Sequence, residues 1–376
     1  MLLRTPFAER HKILNAKLIP FSGWEMPIQY KGIIDEANVV RKLAGFFDVS
    51  HMGRIEIFGD DAGLYLEKVL TVSATKMAIA SAKYCFILNE NAGIIDDVVI
   101  YRNSYSKYLL ICNASNRETV IHWLNEILAE FKNVSLSDLT FKTVMIALQG
   151  PSARKILSDY LKKVNYYDSL ESVLNLNPFQ FYEYCLRSEN SEYNPRLIIS
   201  RTGYTGEDGF EIIASKEIGL CFWDDLLQSG ASPCGLGSRD VLRLEAGLRL
   251  HGNDMDQNVN PIQAGLSRFV DWDNFHFSGY QELLRLNEIG IDKRLVGFNM
   301  LTKAIPRRGY LILDSQKNII GEVTSGSHSP ALNMDIGMGY IADSHSTIGD
   351  DIVLRGRGRD FDACVVKMPF YRRSSN

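Results

Sequence analysis

The stretch from Gly93 to Phe131, GIIDDVVIYRNSYSKYLLICNASNRETVIHWLNEILAEF, decides how the chain is read. IIDDVVIYR and KYLLICNAS are rich in Ile, Val, Leu and Tyr, and the turn-forming NSYS between them makes a β-hairpin. After Asn116, residues Val120, Leu124, Ile127, Leu128 and Phe131 recur at helical spacing and predict an amphipathic helix. Strand and helix alternating with hairpins point to α+β layers, not a doubly wound parallel sheet. The Asp96-Asp97 pair interrupts the apolar run. Successive side chains on a strand point to opposite faces, so the two aspartates cannot share one environment. If one faces solvent, the other faces whatever Ile95 and Val99 face. An unpartnered polar group buried there costs roughly 2–7 kcal/mol or more, so the acid needs a reason to be retained.

Working outward, GRIEIFG (Gly53–Gly59) alternates as a strand, and Asp60-Asp61 can start a helix through GLYLEKVL. From about Thr140 the pattern restarts. TVMIALQG reads as a strand, PSARKILSDYLKK as a helix with Pro151 at its start, and FQFYEYCL and RLIISRTGY as strands around a polar, exposed tip, RSENSEYNP. After about Glu282 the texture changes. RLVGFNM, GYLILD, NIIGEVTSG, IGMGYIA, DIVLRGR and ACVVKMPF are short strands split by Gly, Asp and Ser turns, the pattern of a small all-β barrel or sandwich.

At 376 residues the chain is long enough for about two or three domains. Its apolar (45%) and charged (23%) fractions are those of a globular protein, and a net charge of −4 provides no global basic field for nucleic acid or anionic membrane. Six scattered cysteines without a C-x-x-C read as buried hydrophobes in a reducing compartment, and neither they nor the seven histidines have metal-site spacing. P-loop and dinucleotide fingerprints are missing. No leader is apparent and no apolar run reaches the roughly 18–20 residues of a membrane span, so a cytoplasmic location is expected.

Three further stretches place polar groups where packing alone would not. SRTGYTGEDGFEI (Ser200–Ile212) has three glycines and then Glu211 between Phe210 and Ile212. Two carboxylate oxygens match two parallel N–H donors, such as the 2-amino-pyrimidinone edge of a pterin, although taken alone a glycine-rich hairpin with a satisfied edge glutamate is the better reading of the pattern. CGLGSRDVLRLEAG (Cys234–Gly247) reads as a turn entering a helix, with Ser238 as the N-cap and Arg239 in a first turn that prefers acids. HGNDMDQNVNPIQAGL (His251–Leu266) lacks calcium-loop spacing and reads as an ordered polar loop. In FDVSHMG, His51 reads as a hydrogen-bonded structural histidine, because no Ser or Cys nucleophile motif accompanies it, while Ser50, His51 and Met52 at the entry to a strand leave open that the stretch lines a site.

Together these stretches resemble the aminomethyltransferase (T-protein) family of the glycine cleavage system. RTPF-x-x-x-H, FSGWEMPIQY, GFFDVSHMG, NENAGIIDDVVIYR, NASN, LQGP, SRTGYTGEDGFE, GLGSRD, GNDMD, TSGSHSP and KMPFYRR look like its segments in its order, across essentially the whole chain. The resemblance implies a three-domain cloverleaf around a central folate channel. It divides the chain into a discontinuous α+β folate-binding domain (1–50 and 140–240), a second α+β domain (51–139 and 241–282) and a C-terminal β-barrel-like domain (283–376). The implied reaction moves the aminomethyl carbon from the lipoyl arm of the H protein to the co-substrate tetrahydrofolate. It releases ammonia and forms 5,10-methylenetetrahydrofolate, without a metal.

Residue by residue, the resemblance puts the catalytic aspartate on Asp97, leaving Asp96 structural or solvated. It puts the pterin-binding glutamate on Glu211 and the pterin-site arginine on Arg239. Tyr84 and Tyr204 line the cleft, with Met52, Asn113, Tyr371 and Arg372 as further folate-binding positions. Two departures stand out: Arg268, where the family has an aromatic, and the longer Arg187–Pro195 segment. Two rival readings fit less well. The folate domains of sarcosine and dimethylglycine dehydrogenases come with a flavin domain for which there is no fingerprint. Non-catalytic folate-binding relatives that assist iron–sulfur maturation carry a Lys-Gly-Cys motif, which this chain lacks.

Overall fold

The computed structural model describes residues 1–185 and 196–373, so the Arg187–Pro195 segment lies outside the described residues. The chain forms two compact units. The first comprises Met1–Glu67, Ser73–Tyr84 and Val98–Arg239, and the second Lys68–Val72, Cys85–Asp97 and Asp240–Asn376. The class is α+β, ending in a closed β-barrel.

In the first unit a six-stranded sheet runs in the order Phe181–Cys185, Arg196–Ser200, Gly209–Ser215, Thr143–Gln149, Gly45–Asp48, Ser232–Pro233. Period-2 alternation divides its faces. Val144, Ile146, Leu148, Leu197, Ile199, Phe210, Ile212 and Phe46 point to one side and form a core with Leu157 and Leu161 of helix Ala153–Lys163 and Phe222, Trp223 and Leu226 of helix Lys216–Gln228. Ser215 caps the second helix by accepting the Ile218 N–H. The register then aligns Phe47, Ala147, Glu211 and Ser200 side by side on the opposite face. Glu211 therefore lies inside the sheet and not on the edge that its sequence context suggested, because strands 196–200 and 143–149 flank its own.

A five-stranded sheet has the order Ser81–Leu88, Ile94–Ser104, Lys107–Cys112, Gly53–Phe58, Ser135–Asp138. The expected hairpin is present, with Ile100 opposite Leu110. Helix Arg117–Leu128 buries Val120 and Leu124, whereas Ile127, Leu128 and Phe131 are only half-buried.

In the second unit the all-β segment closes into a barrel in the order Lys293–Met300, Met334–Ala342, Ile319–Ser329, Leu311–Leu313, Asp351–Gly356, Arg359–Val366. Phe298, Ile312, Val323, Ile341, Leu354 and Ala363 fill it. The 251–266 loop is polar, as read, and tightly tied. The buried Asp254 accepts from Arg243 Nη1 (2.6 Å), the Leu250 N–H (2.9 Å) and the hydroxyls of Thr324 (2.5 Å) and Ser325 (2.7 Å). Arg268 is exposed and lies over the Phe269 ring at 4.7 Å.

The same loop holds the foot of the Asp97 strand. The Ile94 N–H donates to the carbonyls of Asp256 (3.2 Å) and Val259 (3.0 Å), and His251 Nε2 meets the Ile94 carbonyl at 3.1 Å. Gly93 is required by space: a Cβ there would lie 1.8 Å from the Gln257 carbonyl oxygen, a backbone atom. Gly93→Ala is expected to destabilise the protein by about 2–4 kcal/mol, the range of severe overpacking. Urea denaturation checks this, and an unchanged midpoint would contradict the packing.

Candidate functional site

Glu211 has a built environment. Its Oε2 accepts from the Thr202 hydroxyl at 2.5 Å, Thr202 Oγ1 lies 2.7 Å from Ser200 Oγ, and the Tyr101 hydroxyl lies 3.1 Å from that oxygen. This relay of hydroxyls ends on one carboxylate oxygen and fixes the rotamer of a residue that is 7% exposed. Oε1 has no hydrogen-bond partner among the described residues. The carboxylate is thus half used and oriented, which suits a ligand that presents N–H donors. Sequence reading missed Tyr101, Ser200 and Thr202, because a Tyr in an apolar strand carries no signal of its own.

Tyr204 sits on a loop held from three sides. Gln149 Nε2 donates to the Thr202 carbonyl (3.1 Å) while its Oε1 accepts the Thr205 hydroxyl (2.9 Å). Arg41 donates to the Thr205 carbonyl (2.7 Å) and pairs with Glu207 (2.9 Å), and Arg201 forms a two-point pair with Asp208. The Arg239 guanidinium lies 4.9 Å from the centre of the Tyr204 ring and 6.0 Å from that of Phe47. Burial lowers its pKa, and the nearby charge of Glu211 offsets part of this. Its Nη1 is buried with no partner among the described residues. Adjacent strands lie about 4.8 Å apart, so the two strand steps from Phe47 to Glu211 span roughly 10 Å, the scale of a fused bicyclic ring.

What aims Arg239 is Glu36, which the sequence did not single out. Buried at 2% exposure, its Oε1 accepts the N–H groups of Tyr30 (2.6 Å), Lys31 (3.0 Å) and Gly32 (3.2 Å). Its Oε2 accepts the Gly235 N–H (2.7 Å) and the Ser238 hydroxyl (3.2 Å). The helix that carries Arg239 starts at Leu236, one turn earlier than the sequence suggested, so Ser238 is not its N-cap. Gly235 takes that position because a Cβ there would lie 2.3 Å from the Ile28 carbonyl group.

The 48–54 segment forms a second buried polar centre. Asp48 accepts from Thr5 Oγ1 (2.6 Å), His11 Nε2 (3.0 Å) and the Ser50 N–H (2.9 Å), and the Tyr30 hydroxyl meets His11 Nδ1 at 2.8 Å. Burial pushes the Asp48 carboxyl up, but hydrogen bonds from His11, Thr5 and Ser50 outweigh it and hold the pKa below its usual value. Arg54, fully buried, donates to the carbonyls of Ser50 and Met52 on either side of His51. His51 itself departs from expectation: it is buried, but Nδ1 has no partner among the described residues. Burial lowers its pKa to about 4, with the Asp48 charge opposing and the charges of Arg239 and Arg54 adding to the shift, so the ring is neutral at physiological pH.

Of the expected site residues, the first unit brings Glu211, Arg239 and Tyr204 into one electrostatic cluster. Met52 follows His51, and Asn113 ends the Lys107–Cys112 strand; both are half-buried, as is Tyr84 in Ser81–Leu88. In the second unit Asp97 is half-buried and Asp96 is completely buried, so Asp96 is not solvated. The Tyr371 N–H donates to the Glu245 carbonyl (2.8 Å), anchoring a tail on which Arg372 is exposed. Among the described residues no group of three or more His, Cys, Asp or Glu could hold a metal, and no helix is long and apolar enough to cross a membrane.

Residues 7–274 match the GCVT N-terminal domain and residues 293–372 the glycine cleavage T-protein C-terminal barrel domain. An aminomethyltransferase of Symbiobacterium thermophilum is 39% identical over 99% of this chain and 98% of its own. One from Leptospira interrogans is 40% identical over 98% and 96%. The crystal structure of glycine cleavage system aminomethyltransferase T from Bartonella henselae superposes with a TM-score of 0.90 at 33% identity, covering 99% of this chain and 98% of that one.

Two stability outcomes follow from the buried polar groups. Glu36→Ala strands four N–H groups, so a loss of about 3–5 kcal/mol is expected in chemical denaturation. His51 titrates near 4 when folded and near 6.5 when unfolded. Between those values the unfolded chain binds more protons, so stability rises with pH across this window. The contribution, on the order of 3 kcal/mol, is fully present above 6.5. Asp48 adds a second loss only as pH falls below its ordinary carboxylate value of 3.8. Denaturation curves from pH 4 to 7 should show the first slope in the wild type and a shallower one in His51→Phe.

Proposed function

Because the chain belongs to the glycine cleavage T-protein family and is a tetrahydrofolate-dependent aminomethyltransferase, we propose that its aminomethyl donor is the lipoyl arm of the H protein, that Asp97 is its catalytic carboxylate, and that Glu211 and Arg239 read the pterin. The observation that carries the reading is the oriented, half-used carboxylate of Glu211 beside an arginine with a free buried donor. Around a pterin's pyrimidinone edge a 2-amino group and N3–H are followed by the C4 carbonyl. The carboxylate accepts from the first two, and Arg239 Nη1 is the donor for the third. Tyr204 stacks beside the guanidinium, and Tyr84, Met52, Asn113, Tyr371 and Arg372 complete the folate contacts. The division into three domains (1–50 with 140–240, 51–139 with 241–282, and 283–376) and a cytoplasmic location belong to the same reading.

The chemistry needs neither oxidant nor protein nucleophile. The aminomethyl carbon loses its bonds to sulfur and to the amine nitrogen and gains two bonds to folate nitrogens. The two protons leaving those nitrogens end on the dihydrolipoyl thiol and on ammonia. A carboxylate at Asp97 holds the reacting amine and balances the positive charge of the iminium-like CH₂. Holding both reactants in near-attack geometry supplies much of the remaining acceleration.

Asp97→Asn keeps the shape and removes the charge. Tetrahydrofolate-dependent ammonia release from aminomethyl-lipoyl H protein should fall at least roughly 100-fold, the lower range for a general acid–base group. Retention of wild-type release would reject the role. Glu211→Gln should instead weaken tetrahydrofolate binding by roughly 10- to 100-fold, as a charge-assisted pair becomes a mismatched one. Equilibrium titration reads this directly.

A further inference from the structure

His51 is a buried polar side chain of the first unit to which the reaction assigns no task. Its surroundings are fixed to an unusual degree. Arg54 Nη2 donates to the Ser50 carbonyl (3.0 Å) and Nη1 to the Met52 carbonyl (2.6 Å), clamping the backbone on both sides. The Ser50 N–H donates to Asp48 Oδ1 (2.9 Å), Ser50 Oγ bonds to both backbone groups of Met145, and the Met52 N–H donates to the Val49 carbonyl (3.1 Å). The Phe21 ring meets the imidazole edge-on at 5.6 Å. Against this saturated background the ring is 5% exposed and Nδ1 is buried without a partner among the described residues. Leaving such an atom unmade costs about 1–3 kcal/mol, a cost that a ligand can recover. Phe47, four residues before His51, lies under Arg239, so both belong to the segment that borders the Glu211–Arg239 cluster.

We infer that His51 is a specificity-determining folate contact, accepting through Nδ1 an N–H that only the reduced pterin ring carries. Tetrahydrofolate has N–H groups at N5 and N8, whereas fully oxidised folic acid has bare acceptor nitrogens at both. A neutral imidazole with its proton on Nε2 offers Nδ1 as an acceptor to the former and a repelling lone pair to the latter. Glu211 and Arg239 read the pyrimidinone edge, which both oxidation states share, so they cannot make this distinction. This assignment rests on the folate-binding reading of the same cluster.

The test measures binding of tetrahydrofolate and of folic acid to the full-length chain. In His51→Phe the affinity for tetrahydrofolate should fall roughly 5- to 150-fold, the cost of an unpaired buried donor, while that for folic acid stays within about twofold. His51→Asn, whose amide oxygen falls near the Nδ1 position, should restore most of the tetrahydrofolate affinity. His51→Gln, which reaches the Nε2 position, should not. A separate readout on the wild type covers a variant that fails to fold. In the ¹⁵N spectrum of histidine-labelled protein, the His51 Nδ1 resonance should move on adding tetrahydrofolate and stay in place with folic acid. Equal losses for both ligands, an unmoved resonance, or undiminished tetrahydrofolate affinity in His51→Phe would overturn the inference and leave the folate reading standing. A wild type that binds no tetrahydrofolate would overturn both.

Discussion

The Glu36 carboxylate anchors the part of the first unit that carries Arg239. A buried charge is tolerated only when its lone pairs are filled, and here four backbone N–H groups and one hydroxyl fill them. The donors come from the turn at Tyr30–Gly32 and from the start of the helix at Leu236, so one side chain fixes both. That helix start carries Arg239, and the turn carries Tyr30, whose hydroxyl reaches His11 and through it Asp48. Loss of the carboxylate would release an arginine and a hydrogen-bond chain together, although Glu36 itself has no part in the chemistry.

The six-stranded sheet separates stability from function by its pleat. One face is aliphatic and aromatic and is sealed by two helices, while the other lines up Phe47, Ala147, Glu211 and Ser200 across neighbouring strands. A rigid sheet is a suitable base for a recognition carboxylate, because its Cα positions are fixed by ladders on both sides and its rotamer by the Thr202–Ser200–Tyr101 hydroxyls. The loop above is irregular but ordered, held by Gln149, Arg41 and Arg201. In the second unit the 251–266 loop does similar work for the Asp97 strand, using the Ile94 amide and the space left by Gly93.

Much of this was legible in the linear pattern, and particular residues show where legibility stops. The Ile94–Ser104 hairpin, the helix beginning near Asn116 and the six barrel strands follow from alternation, helical spacing and turn residues, all local properties of the chain. The Asp96-Asp97 pair stood out because an acid within an apolar strand is costly, and Glu211 because apolar residues flank it after a glycine-rich turn; only the family resemblance chose Asp97 of the pair. By contrast Ser238 looked like an N-cap and instead spends its hydroxyl inside the first turn on Glu36 and on the Gly235 carbonyl. Asp96 looked structural or solvated, and its full burial removes the second alternative.

The sequence alone therefore determined the α+β class, the barrel tail and the acids worth attention, each from residues within a few positions of one another, and the family from short motifs in a fixed order along the whole chain. Only the tertiary structure decided that Glu211 Oε1 has no hydrogen-bond partner among the described residues, that Glu36 ties down the helix start carrying Arg239, and that His51 Nδ1 is unpaired among them. Those facts depend on partners far apart in the chain, such as Glu36 and Gly235, separated by 199 positions. Hydrogen bonds are short and directional, so whether a polar atom is satisfied is settled only when distant segments are folded to within about 3 Å of each other.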